Sequence, residues 1–226
     1  MTLMQEIALR QSLMFGGLIT GLVLGLIFAV FLCYRQPSWI KTGFKPLPII
    51  AFFVAGIANF AAPAVLAALA FSGSGDIAFS RKGRRAILIG LFAFAITHLI
   101  YGLHFVSQIE GDTAPWWIIV AVLGVAISTE FWLTPHVERM KWPVRLYVLS
   151  LTFMATTALM IPNSVLPTVG ALAFIASSVL FGLRIFRLDE TSRWAWAADV
   201  AAWLFYLIAQ AAILAGTGFA NPLFSI

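Results

Sequence analysis

The chain has 226 residues, 62% hydrophobic and only 10% charged, where an ordinary soluble domain carries roughly 25% charged residues. Its 14 basic and 9 acidic side chains cannot cover the surface of a soluble fold of this size, so a cytosolic globular enzyme and a disordered chain are both excluded. The composition requires a multi-pass helical membrane protein, read as one transmembrane domain over residues 1–226. The single Cys33 excludes a disulfide framework and a paired-cysteine redox or zinc site.

A hydrocarbon core about 30 Å thick takes about 20 helical residues per crossing. Dividing the apolar runs at charge clusters and Pro/Gly breaks predicts an all-α bundle of about eight spans, near residues 11–33, 45–60, 62–80, 86–106, 116–133, 146–161, 165–186 and 199–216. The first span is too long for a signal peptide and follows a mixed-charge stretch with Glu6 and Arg10, so it is expected to be retained. Gly17, Gly21 and Gly25 form a small-residue ridge on it, suited to close packing against a neighbouring helix, with a homodimer interface as the alternative. The second and third spans nearly touch, which makes residues 59–63 a tight turn. Trp39, Trp116, Trp117, Trp142, Trp194 and Trp196 lie at span ends, where an amphipathic ring favours the headgroup zone.

The basic residues alternate. Arg35, Lys41 and Lys45 lie in the first connection and Arg81, Lys82, Arg84 and Arg85 in the third. Arg139, Lys141 and Arg145 lie in the fifth, and Arg184, Arg187 and Arg193 in the seventh. These are thirteen of the fourteen Lys and Arg, and the even-numbered connections have none. By the positive-inside rule the odd connections face the cytoplasm and both termini lie on the other side. The expected location is a bacterial inner (cytoplasmic) membrane. Basic residues confined to short juxtamembrane loops, without a stacking platform, argue against a nucleic-acid partner.

Ionisable groups inside hydrocarbon cost several kcal/mol and are functional candidates by default. The candidates are Asp76 on the third span, His98 on the fourth, Glu130 on the fifth, Asp199 opening the eighth and Lys45 opening the second. Ser72, Tyr101, Ser178, Tyr206 and Gln210 are the uncharged company. At about 1.5 Å rise per residue, Asp76 is about 7 Å from the cytoplasmic end, and Glu130, Ser178 and Asp199 enter from the same side. A polar pocket opening to the inner leaflet would satisfy them. The run from Ser72 to Asp76, with glycines at 73 and 75, reads as a flexible polar break. Glu130 has a competing role as partner of a loop arginine. His104 reads as interfacial, and His136, Asp189 and Glu190 read as solvated. Nothing in the pattern asks for a metal or a cofactor: no HExxH, GxSxG, phosphate loop or dinucleotide glycine motif is present.

Lys45-Pro46-Leu47, the run from Ala70 to Asp76, Thr97 to Tyr101, Gly170-Ala171 leading to Ser177-Ser178, and Tyr206 to Gln210 resemble, in order, the motifs of the YhhN family, from about residue 39 to 214. That family contains lysoplasmalogenases, and the resemblance implies hydrolysis of the vinyl-ether bond of a lysophospholipid (lysoplasmalogen) to a fatty aldehyde and a glycerophospho-alcohol. It casts Asp76 as general acid/base, with His98 and Ser178 as further catalytic candidates, and Glu130 and Asp199 stand at a depth that suits a replacement acid. Lys45, Tyr101, Ser72, Asp199, Tyr206 and Gln210 are the binding candidates. Many relatives have an aspartate where this chain has Ser178. A catalytically altered lipid-binding or transport protein of the same fold is therefore the alternative reading.

Overall fold

The computed structural model describes residues 2–109, 116–162, 165–189 and 191–219, and among them no strand occurs. The helices are α1 (Leu3–Phe31), α2 (Trp39–Phe44), α3 (Leu47–Ala58), α4 (Pro63–Phe79), α5 (Arg84–Val106), α6 (Trp116–Trp132), α7 (Lys141–Leu159), α8 (Val165–Phe186) and α9 (Arg193–Ile213). A π-type turn, Leu214–Gly218, prolongs α9. Because α2 and α3 form one bent span, Trp39–Ala58, the helices fall where the eight expected spans lie. Among the described residues six are long and apolar enough to cross a bilayer: Leu3–Phe31, Trp39–Ala58, Arg84–Val106, Trp116–His136, Val165–Phe186 and Arg193–Gly218. The 17 residues of α4 reach about 26 Å, short of a full crossing without local thinning. Lys141 and Arg145 in its first turns make α7 less apolar.

Several boundaries depart from expectation for identifiable reasons. α1 starts at residue 3, not 11, because Thr2 and Gln5 form a reciprocal capping box. Glu6 and Arg10 then pair one turn apart at 2.9 Å. Arg10 also stacks on Phe60, 4.1 Å from the ring centre, so the basic residue outside the alternating loops is used in packing. α9 starts at Arg193, capped by Ser192. Asp199 therefore lies in its second turn and does not open it. Lys45 does not open a helix either: it sits at the bend between α2 and α3, where Pro46 has no N–H to continue the ladder.

The break expected at Ser72–Asp76 is absent, since α4 runs through it to Phe79. Glycine is tolerated here because of what packs against it: a Cβ on Gly75 would stand 2.6 Å from the Phe94 ring, so α4 and α5 approach more closely than any side chain would permit. Ser74 donates to the Ala70 carbonyl at 3.0 Å, keeping its hydroxyl on its own helix. The tight turn before Pro63 is present, with Phe60 in the left-handed region at φ 55°. Ala62 N–H donates to the Gly218 carbonyl at 2.7 Å, docking that turn on the end of α9.

Within the chain, the ridge on α1 is a packing surface. A Cβ on Gly17 would lie 2.8 Å from Ala55 Cβ and 3.0 Å from the Ala51 carbonyl on α3, while Gly25 faces Leu207 of α9. The Gly25 carbonyl accepts the Trp203 indole N–H at 2.8 Å. α4 lies along α5, α5 along α7, and α8 along α9. Phe28, Phe52, Leu69, Tyr101, Met154 and Phe174 fill the centre with almost no exposure. The six tryptophans expected as anchors are all exposed and lie at or near helix ends. Glu190 lies outside the described residues.

Candidate functional site

A cavity of about 440 Å³ opens at the end of the bundle that carries the first and third connections. Arg35, Gln36, Arg81 and Lys82 line its mouth, and Lys45, Asp76, Ser178, Asp199 and Tyr206 stand on its wall with the rings of Phe94, Phe174 and Trp203. The mouth is thus basic and the interior a mixture of aromatic faces and a few polar groups. That combination suits an anionic head attached to an apolar body.

Asp76 is 2% exposed. Its Oδ2 accepts the Tyr206 hydroxyl at 2.7 Å, and Lys45 Nζ stands 3.5 Å from its Oδ1. One turn along each helix the arrangement repeats with neutral groups. Gln210, four residues after Tyr206 on α9, donates from Nε2 to the Oγ of Ser72, four residues before Asp76 on α4, at 2.7 Å. Gln210 Oε1 accepts the Tyr101 hydroxyl at 2.6 Å, and Ser72 Oγ donates to Thr97 Oγ1 at 3.3 Å. Residues four apart share a helix face, so two i, i+4 pairs place a polar ladder between α4 and α9 with α5 behind it. Each buried amide and hydroxyl in it has a partner, as burial demands. The ladder fixes the rotamers of Tyr206 and Ser72, and through Tyr206 it fixes the carboxylate.

The other candidates are distributed differently. Asp199 lines the cavity but is held by Arg184 Nε at 3.0 Å. Glu130 lies away from the cavity in a two-pronged pair with Arg145, at 2.9 and 2.7 Å. Ser178 lines the cavity and shares a 2.7 Å hydrogen bond with the Tyr147 hydroxyl. Tyr101, Ser72 and Gln210 sit behind Asp76. His98 is fully buried one layer further back, against the rings of Tyr147 and Phe174 at 5.2 and 5.0 Å, and neither ring nitrogen has a partner among the described residues. His104 bonds the Thr217 carbonyl at 2.8 Å near the opposite end. Among the described residues no three His, Cys, Asp or Glu side chains are grouped so as to hold a metal ion.

Two wall residues escaped the sequence reading. Tyr147, two residues after Arg145, turns its hydroxyl to Ser178. Arg184 was assigned to topology alone. The usable signal was the same for both: a tyrosine hydroxyl or an intramembrane carboxylate needs a partner.

Comparison with known proteins agrees with this arrangement of motifs. The chain is 30% identical over 159 residues to proteins named "Uncharacterized membrane protein YhhN" from Escherichia coli O6:H1, Escherichia coli O157:H7 and Shigella flexneri. The aligned region covers 66% of this chain and 72% of each relative. No solved structure matches. Residues 40–217 match the YhhN family, a stretch that begins just before the Lys45 bend and ends just after the α4–α9 ladder, and the chain belongs to that family.

Proposed function

We propose that the protein is a hydrolase of lyso-ether phospholipids in a bacterial cytoplasmic membrane, cleaving the vinyl-ether bond of a lysoplasmalogen. The observation that carries the reading is the state of Asp76: a buried carboxylate on the wall of a cavity with a basic mouth, held by one tyrosine hydroxyl and one loosely placed ammonium. Oδ2 is occupied by Tyr206. Among the described residues Oδ1 has only Lys45 at 3.5 Å, which leaves it able to carry a proton and pass it on.

One carboxyl group closes the cycle. Protonated Asp76 gives its proton to the vinyl carbon remote from the ether oxygen, and the double-bond electrons form the new C–H bond. The adjacent carbon becomes an oxocarbenium centre, stabilised by the carboxylate just formed. Water adds there and returns a proton to Asp76. The resulting hemiacetal collapses to an aldehyde and the free glycerol hydroxyl of the head. Ser178, facing the same cavity, orients the water where many relatives supply a second acid, and Tyr206 keeps the carboxyl in register. Arg35, Arg81 and Lys82 attract the phosphate.

The purified protein should release aldehyde from lysoplasmalogen, and Asp76→Asn, which keeps shape and the Tyr206 contact, should lower the rate at least a hundredfold. Unchanged turnover in that variant defeats the mechanism. A second reading is favoured by one observation: Asp199, the other carboxylate on the wall, is engaged by Arg184 and cannot readily replace the acid missing at Ser178. Saturable lysolipid binding or flipping without any aldehyde product would select that lipid-binding or transport role.

A further inference from the structure

The polar cavity shares a wall with a second, narrower space. Tyr147, Ser178 and Phe181 line both. Beyond them the second space runs between α6, α7 and α8, bounded by Val122, Ala126, Leu151 and Ile175, with Leu91 of α5 beneath. Its volume is about 50 Å³ against 440 Å³ for the polar cavity, too small for a headgroup and enough for only the first part of a hydrocarbon chain. The hydroxyl groups along it are already used. Thr129 donates to the Ala126 carbonyl at 2.7 Å and Thr152 to the Val148 carbonyl at 2.8 Å, so what they offer the groove is methyl. α6, which forms one side, buries only Val122 and Thr129. This is the wall that can give way to an inserted chain.

We propose that this groove takes the hydrocarbon chain of a single-chain amphiphile whose polar end occupies the Asp76 cavity, with the hydrogen-bonded Tyr147–Ser178 pair as the partition the chain crosses. The proposal rests on the reading of the Asp76 cavity as a lysolipid site, and it names the part of that site that holds the chain. Continuity decides the occupant. An apolar slot that meets a basic-mouthed polar cavity at one shared wall matches a molecule with one head, one tail and a junction between them. A two-chain lipid would need a second slot at the same junction.

The test is a saturated alkyl-ether lysophospholipid, which has no vinyl bond to cleave, carrying a diazirine at the end of its chain and photolysed with the intact protein in micelles. Crosslinks should map to α6, α7 and α8 residues of the groove, and excess unlabelled lysolipid should compete them away. Ala126→Phe should reduce groove labelling at least tenfold, whereas Leu172→Phe, half-exposed on another face of α8, should not. Labelling spread over outward-facing positions such as Leu172 and Ile208, and not competed, would overturn the proposal. Aldehyde release measured in parallel separates the two readings. Groove labelling without aldehyde retains the chain site and removes the hydrolase, and aldehyde with outer-surface labelling does the reverse.

Discussion

Replacing Lys45 by Met removes the cation beside Asp76 while keeping an unbranched chain of similar length in the bend between α2 and α3. Removing one partner of a buried ion pair costs about 3–5 kcal/mol when the remaining charge is left uncompensated. Two features here lower that figure. Lys45 is 13% exposed, so water reaches the pair from the cavity, and Asp76 keeps its bond from Tyr206. A cost of about 2–3 kcal/mol follows. Asp76→Asn alone retains an acceptor for Tyr206 and leaves an ammonium that can turn to water, at about 1 kcal/mol. In the double variant neither charge remains, so its cost should fall short of the sum by about 1–2 kcal/mol. Equilibrium unfolding in mixed micelles, followed by the fluorescence of the eight tryptophans, measures all four proteins. Simple additivity, with coupling below about 0.5 kcal/mol, would mean that Lys45 does not neutralise Asp76.

Tyr101→Phe deletes the donor to Gln210 Oε1 in surroundings closed to water, and should cost about 1–3 kcal/mol in the same unfolding measurement. A cost under about 0.3 kcal/mol would show that Gln210 finds another donor. His98→Leu removes an imidazole whose nitrogens have no partner among the described residues and leaves an apolar side chain against Phe94, Tyr147 and Phe174. It should leave stability unchanged or raise it by about 1 kcal/mol. A loss of more than about 1 kcal/mol would reveal a hydrogen bond that the ring makes in the membrane.

The number of helical spans was legible because a bilayer rejects charge, so clustered basic residues divide one apolar run from the next. Asp76 was legible for the same reason. Partnerships were legible only in part. Glu130 has the loop-arginine partner expected of it, Arg145, but the pairing of Arg184 with Asp199, fifteen residues apart on different helices, depends on how α8 sits on α9. The glycine at 75 misled because local propensity is weak evidence where packing decides. Between α4 and α5, glycine provides closeness rather than flexibility. Asp199 was placed a turn and a half too close to the helix start because Ser192, a good cap, lies in a polar loop whose helical continuation hydropathy does not register.

Four ion pairs in the described residues show why one acid stands out. Glu6–Arg10 and Glu130–Arg145 are well exposed, and a guanidinium at 2.7–2.9 Å fixes each carboxylate. Asp199–Arg184 is less exposed, yet again closed by arginine at 3.0 Å. Arginine stays charged under any accessible condition, so each of these three acids faces a permanent cation. Asp76 alone pairs with lysine, at the longest distance of the four, and is the most buried. A carboxyl group that must alternate between giving and taking a proton needs both of its states within reach. The same polar ladder that holds Tyr206 leaves Oδ1 facing a lysine, so the fold fixes the position of Asp76 without committing it to one protonation state.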